Sequence, residues 1–204
     1  MTTARVFTQL LRSVESILGP AGFARTKRSF WIQSGNNIGI IDVQKSRKST
    51  ADRVLFTLNL GVWSDRVGSF VAGGTKSHPP EVDDCHWRER IGFLLPDRED
   101  KWWTINESDD AAAVIDDVGP VMESVAVPAV IAHINDDALR DEWLMDKSPG
   151  LTNVQRLMYL SILLKEIGPQ DALSGVVADL KRNSQGKLTE AIVTRHVQKL
   201  ELHA

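Results

Sequence analysis

"IIDVQKSRKSTADRVLFTLNLGVW", from Ile40 to Trp63, decides the fold. Successive side chains on a strand point to opposite faces. After Arg53, therefore, Phe56, Leu58, Leu60 and Val62 share one face, while Thr57, Asn59, Gly61 and Trp63 share the other. In the first part of the stretch, Ile41 and Val43 oppose Asp42, Gln44 and Ser46, and "SRKSTAD" between the two runs has turn composition. The reading is a pair of antiparallel strands with one apolar face and a polar row on the other.

Working outward, "SFWIQSG" around Phe30, "CHWRERIGFLL" around Glu89 and "KWWTIN" around Trp103 read as further short strands, separated by the turn-like clusters "SGNN", "GGTKSHPPEVDD" and "PDRED". The strand beginning at Cys85 places His86, Arg88 and Arg90 opposite Cys85, Trp87 and Glu89. With these strands as neighbours, Gln44, Ser46, Thr57, Asn59, Arg88 and Arg90 line one sheet face, two guanidiniums among hydrogen-bonding side chains. A wet face is common in antiparallel sheets. The functional alternative is a shallow receptor, since arginine forks suit carboxylate or phosphate and amides both donate and accept.

The N-terminal segment carries Val6, Phe7, Leu10, Leu11, Val14, Ile17 and Leu18 at helical spacing, which predicts an amphipathic helix from about Thr3 to Leu18 stopped by Gly19-Pro20. After the strands the period changes from two to 3.6. Ser108 is the expected cap of a helix that Gly119-Pro120 and Pro128 break into two or three pieces. "DDALRDEWLM" follows, then a break at Ser148-Pro149-Gly150 and three helical stretches, the first capped by Thr152 and the last placing Leu188, Ile192, Val193, Val197 and Leu200 at helical spacing. The predicted fold class is α+β: an N-terminal helix packed on an antiparallel meander of four to five strands within residues 1–149, then a helical extension over 150–204 docked on it. The extension alone falls below about 60 residues and would be marginal by itself.

Composition narrows the class. The 204 residues are 42% hydrophobic and 25% charged, near the averages of globular proteins. One cysteine, Cys85, excludes an internal disulfide and a multi-thiolate zinc site, and fits a reducing compartment such as the cytoplasm. No stretch approaches the ~20 apolar residues of a membrane span, so no membrane partner is expected. The net charge of −3 is strongly segregated. Residues 1–48 hold eight Lys/Arg against two acids, whereas residues 97–146 hold three against fourteen.

"GF" at Gly22-Phe23 followed by Phe30, "VQKS" at Val43 to Ser46, "FTLNLGV" at Phe56 to Val62, "RERIGFLLP" at Arg88 to Pro96 and "DKWW" at Asp100 to Trp103 form an ordered set. Over about residues 5–105 this set resembles the bacterial domain-of-unknown-function family numbered 4304. The resemblance implies a bacterial, cytosolic, α+β protein, with no activity to carry over. The polar row falls on the same positions as these motifs.

Other constellations are weaker. "DDCH" at Asp83 to His86 has metal-binding residue types, but adjacent residues on an extended segment diverge, and no second cluster has zinc spacing. His133, His196 and His203 read as satisfied or solvent-facing helix residues. The stretch from Arg66 to Asp84, containing Gly73-Gly74 and His78, reads as a long irregular loop able to close over the polar face. Trp102-Trp103 should send one ring inward and one outward. No motif calls for a catalytic residue, a cofactor or a metal. The expectation is a binding or accessory module that meets a protein partner through the polar face. Two alternatives stay open: nucleic-acid binding through Arg25, Lys27, Arg28, Lys45, Arg47 and Lys48, and an enzyme or sensor for a small anion held by Arg88 and Arg90 with Gln44 and Asn59 orienting it.

Overall fold

The computed structural model describes residues 2–72, 79–106, 109 and 111–202. The expected Ser108 cap, the Gly73-Gly74 pair, His78 and His203 lie outside them. Helix α1 (Thr3–Leu18) buries Val6, Phe7, Leu10, Leu11, Val14 and Leu18 as its periodicity requires. It ends in a 3-10 turn (Gly19–Ala21) and then Gly22 at φ +89°, a left-handed conformation that favours glycine.

The sheet is antiparallel with six strands among the described residues: β1 (Ala24–Thr26), β2 (Ser29–Ser34), β3 (Asn37–Lys45), β4 (Arg53–Trp63), β5 (Trp87–Arg90) and β6 (Trp103–Asn106). The first five lie in chain order, and β6 also pairs with β4. At 11 residues β4 is long enough to host both. Asn59 to Val62 pair with β5, and Arg53 to Phe56 pair with β6 on that same edge. The meander is thus as expected, with β1 an addition too short to show an alternation.

Phe30, Ile41, Val43, Phe56, Leu58, Leu60, Val62 and Trp87 form the sheet's contribution to one hydrophobic core running from Val6 to Leu200. Helix α1 packs on β4 and β6. The helical half follows as α3 (Ala111–Val121), a π-helical turn (Met122–Ala126), α4 (Val127–His133), α5 (Asp136–Leu144), α6 (Asn153–Ile167), α7 (Gln170–Ser184) and α8 (Glu190–Leu202). Helix α4 lies against β3 and β4, on the apolar face.

Three readings are corrected. Pro120 and Pro128 do not separate α3 from α4: Pro120 lies inside α3, Pro128 sits in the first turn of α4, and backbone dihedrals stay helical at both ends of the wider π turn between them. The stretch after Arg66 is not irregular throughout, since residues 65–72 form helix α2 (Asp65–Ala72). Gly68 in its middle looks like a breaker in sequence, but a Cβ there would lie 1.9 Å from the Trp63 ring, so its bareness admits the indole. Leu188, read as part of the last apolar helix face, precedes α8 and is fully exposed.

The cap expected at Thr152 is present, with Thr152 Oγ1 accepting from the Gln155 N–H and Gln155 Oε1 accepting from the Thr152 N–H. One junction had no sequence signal. Asp136 Oδ1 accepts from Ser64 Oγ at 2.6 Å and Asn37 Nδ2 at 3.0 Å, and Oδ2 pairs with Arg66 Nε at 3.1 Å. A single carboxylate thereby joins the start of β3, the end of β4, α2 and α5.

Candidate functional site

The face opposite the core carries the polar row, and the register brings most of it together. Gln44 pairs with Thr57, Asp42 with Asn59, Asn59 with Arg90, and Gly61 with Arg88. Asn59 Nδ2 donates to Gln44 Oε1 at 2.8 Å, and Arg90 Nε donates to Asn59 Oδ1 at 3.3 Å. Arg90 Nη1 meets both oxygens of Asp100 at 2.9 and 3.0 Å, and the Trp102 indole N–H donates to Asp100 Oδ2 at 2.9 Å. Slight burial raises the Asp100 pKa, but the hydrogen bonds from Trp102 and Arg90 and the arginine charge outweigh it and hold the carboxyl below its usual range. The Arg90 guanidinium also lies 5.4 Å from the Trp102 ring centroid. Of the paired tryptophans, Trp102 is the outward ring, and Trp103 is buried and stacked on Phe56.

Two members of the row stand apart. Thr57 is buried and donates to the Lys101 carbonyl at 2.7 Å. Ser46 lies just past β3, where its Oγ accepts from the Lys48 N–H at 3.1 Å and closes the β3–β4 turn.

Arg88 spans the far wall. Its Nη1 donates to the Asp83 carbonyl at 3.1 Å and its Nη2 to the Gly150 carbonyl. Gly150, at φ +74°, leaves no room for a Cβ, which would fall 2.9 Å from Arg88 Cβ. The Arg88 Nε is buried with no hydrogen-bond partner.

Residues 79–85 cross the face over Gly61. A Cβ on Gly61 would come within 2.7 Å of Cys85 Sγ and 3.0 Å of Val82 Cγ2. The crossing seals Ile40, Trp63 and Cys85 into a small apolar cluster on this side of the sheet. Gly61→Ala should therefore lift the crossing segment. We expect a net loss of about 1–2 kcal/mol, overpacking less the entropy that glycine costs a strand. Cys85, now 3% exposed, should react faster with a thiol reagent in native buffer; an unchanged labelling rate would show that the segment holds.

What remains open is a cleft of about 930 Å³, floored by Trp31, Ile40, Asp42, Gln44 and Asn59 and walled by the β1–β2 turn on one side and Arg88, Arg90 and Phe93 on the other. Asp42 on its floor accepts from Ser29 Oγ at 2.6 Å. Burial raises its pKa, outweighing the help of Ser29 and the nearby Arg28, while Asp83 and Glu81 push the same way. The helical half does not line the floor: no cleft-lining residue comes from α6, α7 or α8, and Gly150 reaches the Arg88 wall, behind which Tyr159 of α6 packs edge-on against His86 at 4.9 Å.

The remaining sequence candidates are accounted for structurally. His86 is buried, with Nδ1 accepting from the Ser64 N–H at 3.1 Å, and Asp84 caps the 3-10 turn Val82–Asp84. Among the described residues no group of three or more His, Cys, Asp or Glu converges as a metal site would require. No helix among them is long and apolar enough to cross a membrane. His133 bonds the Ala129 carbonyl at 2.7 Å and pairs with Glu142 at 2.9 Å. Burial opposes its charge, but these contacts and the charges of Glu142 and Glu89 prevail and raise its pKa. His196 is buried against Ser161 Oγ at 2.8 Å.

Fold and face together define an α+β protein with an open polar cleft on the outer side of an antiparallel sheet. The chain belongs to the family described as Domain of unknown function (DUF4304), whose model matches residues 14–132, from within α1 to the end of α4. The helices from α5 onward lie beyond that match. No curated protein and no solved structure matches the chain.

Proposed function

We propose that this protein is a non-catalytic binding module of the bacterial cytoplasm and that its cleft receives a segment of a protein partner. The observation that carries the reading is the hydrogen-bonded chain Gln44–Asn59–Arg90–Asp100, whose first three members line an open, charged cleft. Side chains that spend their hydrogen bonds on one another offer a fixed recognition surface rather than a nucleophile or a free base. The single, buried Cys85 suits a reducing compartment.

The test is capture of partners from lysate by wild type and by Arg88→Ala/Arg90→Ala, followed by measurement of affinity with the purified partner. The double variant should keep its circular dichroism spectrum and lose at least tenfold in affinity. Equal affinity, or retention of nothing but nucleic acid, overturns the reading. A second reading has one observation in its favour: Arg88 binds two main-chain carbonyls and no carboxylate among the described residues, so its charge stays available to a small anion. Carboxylated and phosphorylated metabolites that raise the melting temperature in proportion to concentration would support it.

A further inference from the structure

The six most exposed cations of the N-terminal third of the sheet meet at one end of it. Lys27 and Arg28 form the β1–β2 turn, and the Arg28 carbonyl accepts from the Val43 N–H at 3.0 Å, which sets that turn beside the end of β3. Lys45 closes β3, Arg47 and Lys48 stand in the following turn, and Arg53 opens β4. All six are exposed, and none forms an ion pair with a described residue. Arg25, by contrast, is held by Glu15 at 2.9 Å. Among the described residues the acids nearby are Asp52, Asp42 and Asp109, the last bonded to the Asn106 N–H where β6 meets Arg53. Cations outnumber them, and the rim is continuous with the cleft mouth, which Lys27 and Arg28 also line.

We infer that this rim is a docking surface for an acidic segment of a protein partner. Like charges placed this close repel one another and repay neutralisation by a partner, and such a patch speeds encounter with an oppositely charged one. Polynucleotide fits the surroundings less well. A phosphate chain tracking from the rim into the cleft meets Asp42, Glu81 and Asp83, whereas a polypeptide can place neutral or basic side chains there. Among the described residues no aromatic ring stands on the rim as a stacking platform, because Trp31 lies on the cleft floor and Trp102 is engaged with Arg90 and Asp100. The inference goes beyond the cleft reading and does not depend on it.

The test is fluorescence anisotropy with a labelled deca-glutamate peptide and, in parallel, a labelled dT12 oligonucleotide, from low to physiological salt. Wild type should bind the peptide more tightly than the oligonucleotide, weakening at least tenfold over that salt range as exposed charges are screened. Lys45→Glu/Arg47→Glu/Lys48→Glu should lose at least tenfold at low salt while melting at the wild-type temperature, since these exposed side chains form no ion pair with a described residue. Arg88→Ala/Arg90→Ala should bind the peptide as wild type does, which separates a failure at the rim from a failure in the cleft. Tighter binding of dT12, unchanged affinity in the triple variant, peptide binding lost in the cleft variant, or no binding of either probe would overturn the inference. So would self-association in sedimentation that the triple variant abolishes, because the rim's occupant would then be the acidic helical half of a second copy.

Discussion

Trp87→Ala is expected to lower the free energy of unfolding by about 3–5 kcal/mol, the range for deleting a large aromatic ring from a packed core. Trp87 is 1% exposed and stacks on the His133 ring at 4.2 Å with planes 16° apart, between β5 and the end of α4. Its removal leaves a hole on the sheet side of the very imidazole that Glu142 holds from α5. Relaxation should be limited, because β5 is pinned through Arg88 and Arg90 to neighbours on the opposite face. One term acts against the loss: the indole N–H is buried without a partner, and its deletion relieves a desolvated donor worth roughly 1–3 kcal/mol. Trp87→Phe keeps much of the packing and discards that donor, so it should cost about 2 kcal/mol or less. Urea unfolding of both variants, with unchanged m-values, checks the pair. A similar cost for the two would mean that the indole nitrogen, not the ring, is what the site needs.

The second large effect is a loss of stability in acid that traces to one histidine. Burial, aided by the charge of Lys199, lowers the His196 pKa from 6.5 to about 4. The unfolded chain binds a proton at this residue more readily than the folded one, so stability is present above about pH 6.5 and is lost as pH falls toward 4. A shift of this size is worth at most about 3 kcal/mol at pH 4. Other groups have the opposite sign. His133, Asp42 and Glu89 have raised pKa values, so each binds its proton more readily in the folded state and favours folding as pH drops through its own window. The comparison that isolates His196 is wild type against His196→Gln, in which those three groups are common to both. The stability advantage of wild type over the variant should shrink by about 2–3 kcal/mol between pH 7 and pH 4. A difference that is flat with pH would show that the buried imidazole does not control acid unfolding.

The alternations in β3 and β4 could be read because each strand has one face on the core, and burial repeats every second residue. The amphipathic face of α1 and the Thr152 cap were legible for the same reason: each is a local pattern with a local cause. Gln44, Asn59, Arg88 and Arg90 could be placed on one face from strand period alone, whereas their partners could not. Asp100 reaches Arg90 only because β6 returns to the edge of β4 that β5 already occupies, a matter of topology. Ser46 was misplaced because the strand ends one residue earlier and a turn claims its hydroxyl. Helix α2 was hidden by Gly68, whose missing side chain answers to Trp63 rather than to its own helix. Asp136 joins residues some seventy to a hundred positions away, and no window along the chain contains that fact. The basic rim was visible as composition but not as a surface, since only the hairpin geometry brings Lys27 beside Lys45.

Lys199, near the end of α8, donates to the Phe70 carbonyl and lies 4.6 Å from that residue's ring centroid, while His196 meets the same ring edge-on at 5.4 Å. During synthesis the sheet and α1 leave the ribosome with every strand partner already in hand. Helix α2 does not: its contacts with α8 arrive only after a further 129 positions of chain have been made. The nascent chain therefore carries a sheet that can form early beside a helix that waits for a distant segment. Synthesis of α8, rather than completion of the sheet, is the step at which α2 gains this anchor.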